Sequence, residues 1–105
     1  MAQFCVYANC NPASRKRYPY LLDIQSDLLS ELPTTVVVPL CPAGQAESIQ
    51  ISHLNPSLAI DDNVYIAMTQ ELAGIERHRL GKEVHDLGQF REPILAALDF
   101  MISGI

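Results

Sequence analysis

Apolar and polar positions follow two periods along the chain. Over residues 86–105 the apolar residues Leu87, Phe90, Ile94, Leu98, Met101 and Ile105 recur every three or four positions, which predicts a helix. Ala97 and Ile102 widen the stripe, while Gln89, Arg91, Glu92 and Asp99 lie off it. Asp86 followed by Gln89 resembles a capping box and sets the expected helix start. Pro93 then falls inside the helix. Its missing N–H and the crowding of the carbonyl four residues back predict a loose first turn or a bend. The stripe is interrupted by Asp99 and falls short of the ~20 apolar residues that span a bilayer.

Upstream of residue 86 the pattern is strand-like. Residues 3–8 and 19–25 read as two strands, the second opening on Pro19, where proline is tolerated. The run Thr34-Thr35-Val36-Val37-Val38-Pro39 is continuously β-branched, as expected for a strand covered on both faces or lying at a subunit interface. Pro39 and Pro42 are expected to break it, with a turn at 43–46. Residues 47–54 alternate, with Ile49, Ile51 and His53 on one face, and predict a half-buried or edge strand. Residues 57–60 and 63–69 flank Asp61-Asp62 as a hairpin. A connection at 70–74 precedes a last strand at 75–80 carrying Arg77, His78 and Arg79, and 81–86 leads into the helix. Many short strands before one helix, without βαβ alternation, predict a mainly β, antiparallel domain over residues 1–105 with a C-terminal α-helix on one side. Leu22, Ile24, Val37, Ile66, Phe90, Ile94 and Leu98 are its expected core.

Length and composition agree. The 105 residues are 49% hydrophobic and 18% charged, enough to bury a core, and no signal peptide is visible at the start. A net charge of -5 argues against a broad nucleic-acid footprint. Cys5, Cys10 and Cys41 lack CxxC spacing, so free thiols in a reducing, cytoplasmic setting are expected rather than disulfides or zinc. Arg15, Lys16 and Arg17 form a dense basic cluster, read as a solvated loop with an anion contact as the rival reading. Asp61-Asp62 reads as a turn rather than a metal or acid–base pair. Arg77-His78-Arg79 reads as an edge-strand face, with phosphodiester chemistry as the rival. No phosphate loop, nucleophile elbow or HExxH motif occurs. No cofactor, metal or catalytic group is therefore expected. Two apolar features stand out: adjacent Leu28 and Leu29 in a loop, and the ending Met101-Ile102-Ser103-Gly104-Ile105, either packed on the domain or presented to a partner.

Several segments carry a resemblance. Gln3-Phe4-Cys5-Val6-Tyr7, Tyr20-Leu21-Leu22-Asp23-Ile24-Gln25-Ser26-Asp27-Leu28-Leu29, Val36-Val37-Val38-Pro39-Leu40, Met68-Thr69-Gln70-Glu71-Leu72-Ala73-Gly74-Ile75 and Asp99-Phe100-Met101-Ile102-Ser103-Gly104-Ile105 resemble the CcdB toxin family, in order and over nearly the whole chain. The resemblance implies a homodimer with an SH3-like barrel core and the helix beside the two-fold axis. Similar proteins bind the A subunit of DNA gyrase and trap it on cleaved DNA. They are neutralised by a CcdA-type antitoxin whose disordered C-terminal segment folds along the toxin. They are not enzymes, meet DNA only through gyrase or the antitoxin complex, and involve no membrane. By position, Gln25, Ser26, Asp27, Leu28 and Leu29 correspond to the gyrase-facing loop, and Ser103, Gly104 and Ile105 to the terminal tripeptide that meets gyrase. Ala96 and Asp99 correspond to helix positions where the family has different polar residues. Ser103 replaces the plasmid-type Trp, and Glu76 stands where relatives often have Pro.

Two other functions share the expected fold. One is a MazF-like ribonuclease toxin, against which stand the acidic balance and the missing MazF-type N-terminal segment. The other is a non-toxic relative that only dimerises and binds antitoxin.

Overall fold

The run Thr34–Pro42 is the axis of the fold. In the computed structural model, which describes residues 3–45 and 52–104, strands β1 (Cys5–Asn9), β2 (Tyr20–Asp23), β3 (Thr34–Pro42), β4 (Ser57–Ile60), β5 (Asn63–Ala67), β6 (Ala73–Glu76) and β7 (Leu80–Asp86) precede helix α1 (Arg91–Ser103). The strands form one seven-stranded sheet in the order β4-β5-β3-β2-β1-β7, with β6 beside β3. Every pairing is antiparallel; Leu22 faces Val6 on one side and Val38 on the other. The mainly antiparallel β fold with one helix after the last strand is thus the one expected.

β3 runs through Pro39 instead of stopping there. Along one edge it pairs with β6 as far as Val37 and with β5 from Leu40 onward. Pro39 lies where the partner changes, so its missing N–H interrupts little, and its carbonyl accepts the Met68 N–H at 3.0 Å. Val37 and Val38 are both buried within the single chain, so both faces of the strand are covered there.

The expected strand at 75–80 is a second correction. Arg77–Arg79 is a 3-10 turn between β6 and β7, and the segment leading to the helix is itself a strand. β7 pairs with β1, joining Cys5 to Asp86 and Asn9 to Leu80 across two irregularities. Gly81 permits the close approach: a Cβ there would lie 2.7 Å from the Ala8 carbonyl oxygen and 2.7 Å from Cys10 Sγ. The alternating segment 47–54 falls largely outside the described residues, and its last three, 52–54, are turn rather than strand. The Asp61-Asp62 hairpin is as expected; Asp61 takes the left-handed φ of 54° that aspartate tolerates.

α1 starts at Arg91, later than Asp86. Asp86 instead accepts the Gly88 N–H at 2.8 Å, and a 3-10 turn at Gly88–Phe90 intervenes. Pro93 therefore sits in the first helical turn, where its lacking N–H has no intrahelical partner to lose, and no bend is needed. Ile94 and Ala97 are buried, Phe90, Leu98 and Met101 half-buried, and Ile102 lies 79% exposed, off the packed face. The core joins Phe4, Val6, Leu22, Val38, Leu40, Leu58, Ile60 and Leu87 to Ile94, with Ile24, Phe90 and Leu98 packed at its margin. Of the expected core, Leu22, Val37, Ile66 and Ile94 are buried, while Ile24, Phe90 and Leu98 are half-covered.

Candidate functional site

The loop between β2 and β3 is built outward from one buried carboxylate. Asp23, 2% exposed, accepts the Gln25 N–H at 3.1 Å and the Thr35 hydroxyl at 2.8 Å on Oδ1. The Gln25 side chain donates to the Thr34 carbonyl at 3.2 Å. Ser26 then caps the 3-10 turn Asp27–Leu29 by accepting the Leu28 N–H at 3.2 Å. Asp27 accepts the Gln3 backbone N–H at 2.7 Å, and Gln3 Nε2 donates to the Ile24 carbonyl at 3.1 Å. These bonds tie the loop to the start of β3, to Gln3 and to itself. Leu28 is left 94% exposed, with Leu29 and Leu32 each at 46%.

Arg77 closes the loop from the far side. Its Nε donates to the Leu32 carbonyl at 2.6 Å and Nη2 to the Leu29 carbonyl at 3.1 Å, while Nη1 stands 3.8 Å from Asp23 Oδ2. The two neighbouring basic residues point elsewhere: His78 and Arg79 each lie 3.2 Å from the Glu76 carboxylate, all three exposed. The Arg77-His78-Arg79 segment therefore does not converge on one point, and its use as an edge-strand face is replaced by a turn with divided contacts.

The second surface is the end of α1. Ala96, Asp99, Ser103 and Gly104 are exposed, and Ile105 lies outside the described residues. Ser103 donates its hydroxyl to the Asp99 carbonyl at 2.7 Å, turning back on its own helix. Gly104 ends the helix in the left-handed region at φ 75°, its N–H on the Phe100 carbonyl at 2.8 Å. A Cβ at Gly104 would meet nothing within 4 Å, so backbone conformation, not space, is what favours glycine here. The Phe100 ring lies 5.9 Å from that of His53. The loop and the helix end both carry bare apolar side chains, Leu28 and Ile102.

A groove of about 700 Å³ lies between the loop after β1 and the β6–β7 turn, with Asn9, Cys10, Tyr18, Val37, Ile75 and Arg79 among its lining residues. Arg15, Lys16 and Arg17 are exposed on that loop, with the Arg17 guanidinium 5.4 Å from the Tyr18 ring centre. Among the described residues no group of three His, Cys, Asp or Glu converges as a metal site, and no helix is long and apolar enough to cross a membrane. Burial pushes the Cys5 thiol above its ordinary range, with the Glu83 and Asp86 carboxylates adding to the rise. Leu32 and Arg77 were not among the residues the sequence singled out for this surface. Leu32 follows from exposure alone. Arg77 lies 48 residues from the Leu29 carbonyl it holds, a link no local pattern encodes.

The family described as CcdB protein matches residues 3–104. Among solved structures, the chain is similar to an endoribonuclease in complex with its cognate antitoxin and to an endoribonuclease, both from Mycobacterial species. Each is 14% identical with a TM-score of 0.73; the matches cover 97% of this chain and 94% and 90% of the other chains. At that identity the likeness is one of fold. The family match spans nearly the whole sequence, and the chain belongs to the CcdB family, the toxins of toxin–antitoxin pairs.

Proposed function

We propose that this toxin is a homodimer that binds the A subunit of DNA gyrase, traps the enzyme on cleaved DNA, and is restrained by a CcdA-type antitoxin. The observation that carries the reading is Leu28: a large apolar side chain held 94% in solvent by a loop that Asp23, Gln25, Ser26 and Asp27 tie down through hydrogen bonds. Ordering such a side chain away from other apolar groups gains nothing for a lone chain; it suits a partner that covers it. Gln25, Ser26, Asp27, Leu28 and Leu29 form one part of the gyrase-facing surface. Ala96, Asp99 and residues 103–105 form the other. A two-fold axis duplicates both parts, so one dimer offers a composite apolar surface. Ser103 stands where plasmid-type relatives have Trp, the commonest kind of interface anchor, so this surface binds more weakly than theirs and Ser103→Trp strengthens it.

The antitoxin partner is supported by family membership and by the similar endoribonuclease, itself solved with a cognate antitoxin. A disordered, extended segment needs a long groove, and the one beside the β6–β7 turn has the volume for several side chains. The protein meets DNA only through gyrase or the antitoxin complex and acts in the cytoplasm, where gyrase is.

A ribonuclease toxin is the rival reading, since the fold is shared with two endoribonucleases. Against it, Arg77 is committed to loop carbonyls while His78 and Arg79 lean on Glu76, so the three residues of this segment do not act together on one phosphate. The discriminating experiment is inducible expression in sensitive cells, with and without a resistant gyrase. The proposal expects toxicity that the resistant gyrase abolishes. Toxicity that persists with RNA cleavage would establish the ribonuclease, and no toxicity at all would establish a non-toxic relative.

A further inference from the structure

Arg77 reaches across the β2–β3 loop from its far side, from another part of the chain. Its planar fork donates from Nε to the Leu32 carbonyl and from Nη2 to the Leu29 carbonyl, at 2.6 and 3.1 Å. The third nitrogen faces the Asp23 carboxylate at 3.8 Å, with the two side chains only 15% and 3% exposed. The Arg77 backbone is pinned as well, its N–H on the Pro33 carbonyl at 2.8 Å. One residue thus ties the loop's apex-side carbonyl, its returning limb and its buried anchor to the β6–β7 turn.

We propose that Arg77 is the positioning residue of the Leu28 loop: it fixes the 3-10 turn that holds Leu28 out, so that the partner meets a loop already in its bound shape. Loops held by few tertiary contacts open locally at low cost, and a partner must then order them as it binds. Here the bidentate geometry matters as much as the charge. Lysine keeps the charge against Asp23 but is a single flexible point that cannot hold two carbonyls in a plane. The proposal rests on the reading of this loop as gyrase-facing, but its first readout does not.

That readout is amide hydrogen exchange of the full-length protein. In Arg77→Lys the Leu28, Leu29 and Leu32 amides exchange at least about 10-fold faster while those of β1, β2 and β3 keep their wild-type protection. The double variant Arg77→Gln/Asp23→Asn, which leaves no buried carboxylate unpaired, does the same. Binding to a gyrase A-subunit fragment weakens at least about 10-fold in both. Leu28→Ala weakens binding without altering exchange. Loop exchange at the wild-type rate in both Arg77 variants would overturn the proposal. So would a rise shared equally by the core strands, which is the mark of a merely structural role. If Leu28→Ala binds gyrase as tightly as wild type, the gyrase reading fails and the exchange result still decides what Arg77 does.

Discussion

Thr35 donates its hydroxyl to the Asp23 carboxylate at 2.8 Å, and both side chains are sealed from water at 0% and 2% exposure. The bond joins the end of β2 to the start of β3 directly beneath the loop that carries Leu28. A buried carboxylate is costly unless its oxygens are occupied, and Thr35, the Gln25 N–H and Arg77 occupy these. Thr35→Val keeps the shape and removes the donor. It should lower unfolding stability by about 1–3 kcal/mol, read from urea denaturation with an unchanged slope. An unchanged midpoint would mean that the carboxylate is satisfied without Thr35.

Ile94 faces the core from the first turns of α1 at 3% exposure. Ile94→Ala should cost roughly 2–5 kcal/mol, because the sheet beneath it cannot close a cavity fully. Ile102→Ala, on a side chain 79% exposed, should change stability by less than about 0.5 kcal/mol. Thermal melts of the two variants side by side check the helix face: equal melting temperatures would contradict it.

What the sequence reveals and hides divides on locality. The Ser57–Ile60 and Asn63–Ala67 hairpin is legible because alternation and the Asp61-Asp62 turn are both local. The helix face is legible through Ile94 and Ala97 for the same reason, whereas its start is not: Asp86 has the composition of a cap but belongs to a strand paired with Cys5. β3 passes through Pro39 because a distant change of partner, from β6 to β5, makes the lost N–H harmless. At the candidate site the bare leucines can be suspected from their adjacency. Their presentation cannot, since it depends on Arg77 reaching carbonyls 45 and 48 residues away.

Alkaline pH should loosen the fold through Cys5 and Tyr65. Burial raises both groups, helped by nearby carboxylates at Cys5 and by Tyr20 at Tyr65. A raised value in the folded chain means that the unfolded chain deprotonates first. Stability is therefore intact below the ordinary thiol value of ~8.5 and falls as pH climbs toward the raised folded values. Melting temperature measured from neutral pH upward should decline above that point, and less steeply in Cys5→Ala. An identical decline in the variant would remove Cys5 from the account.

The composite surface requires two chains. Sedimentation at micromolar concentration should give a dimer whose mass is unchanged by reductant, since Cys5, Cys10 and Cys41 are free thiols and two of them are buried. A stable monomer under those conditions would leave each Leu28 loop alone and would contradict the proposed binding surface.

On the proposed function, exposed apolar groups on the loop and at the end of α1 poison gyrase without carrying the fold. Helix packing is supplied by Ile94, Ala97 and the half-buried Leu98, whereas Ser103 and Gly104 are exposed. The most direct measurement is trapping of gyrase on cleaved DNA by purified wild type, by a variant lacking residues 103–105, and by Ser103→Trp. The predicted result is cleavage complexes with wild type, none with the truncated dimer at an unchanged melting temperature, and more with Ser103→Trp. A truncated dimer that traps cleaved DNA as well as wild type, or a wild type that binds no gyrase, would contradict it.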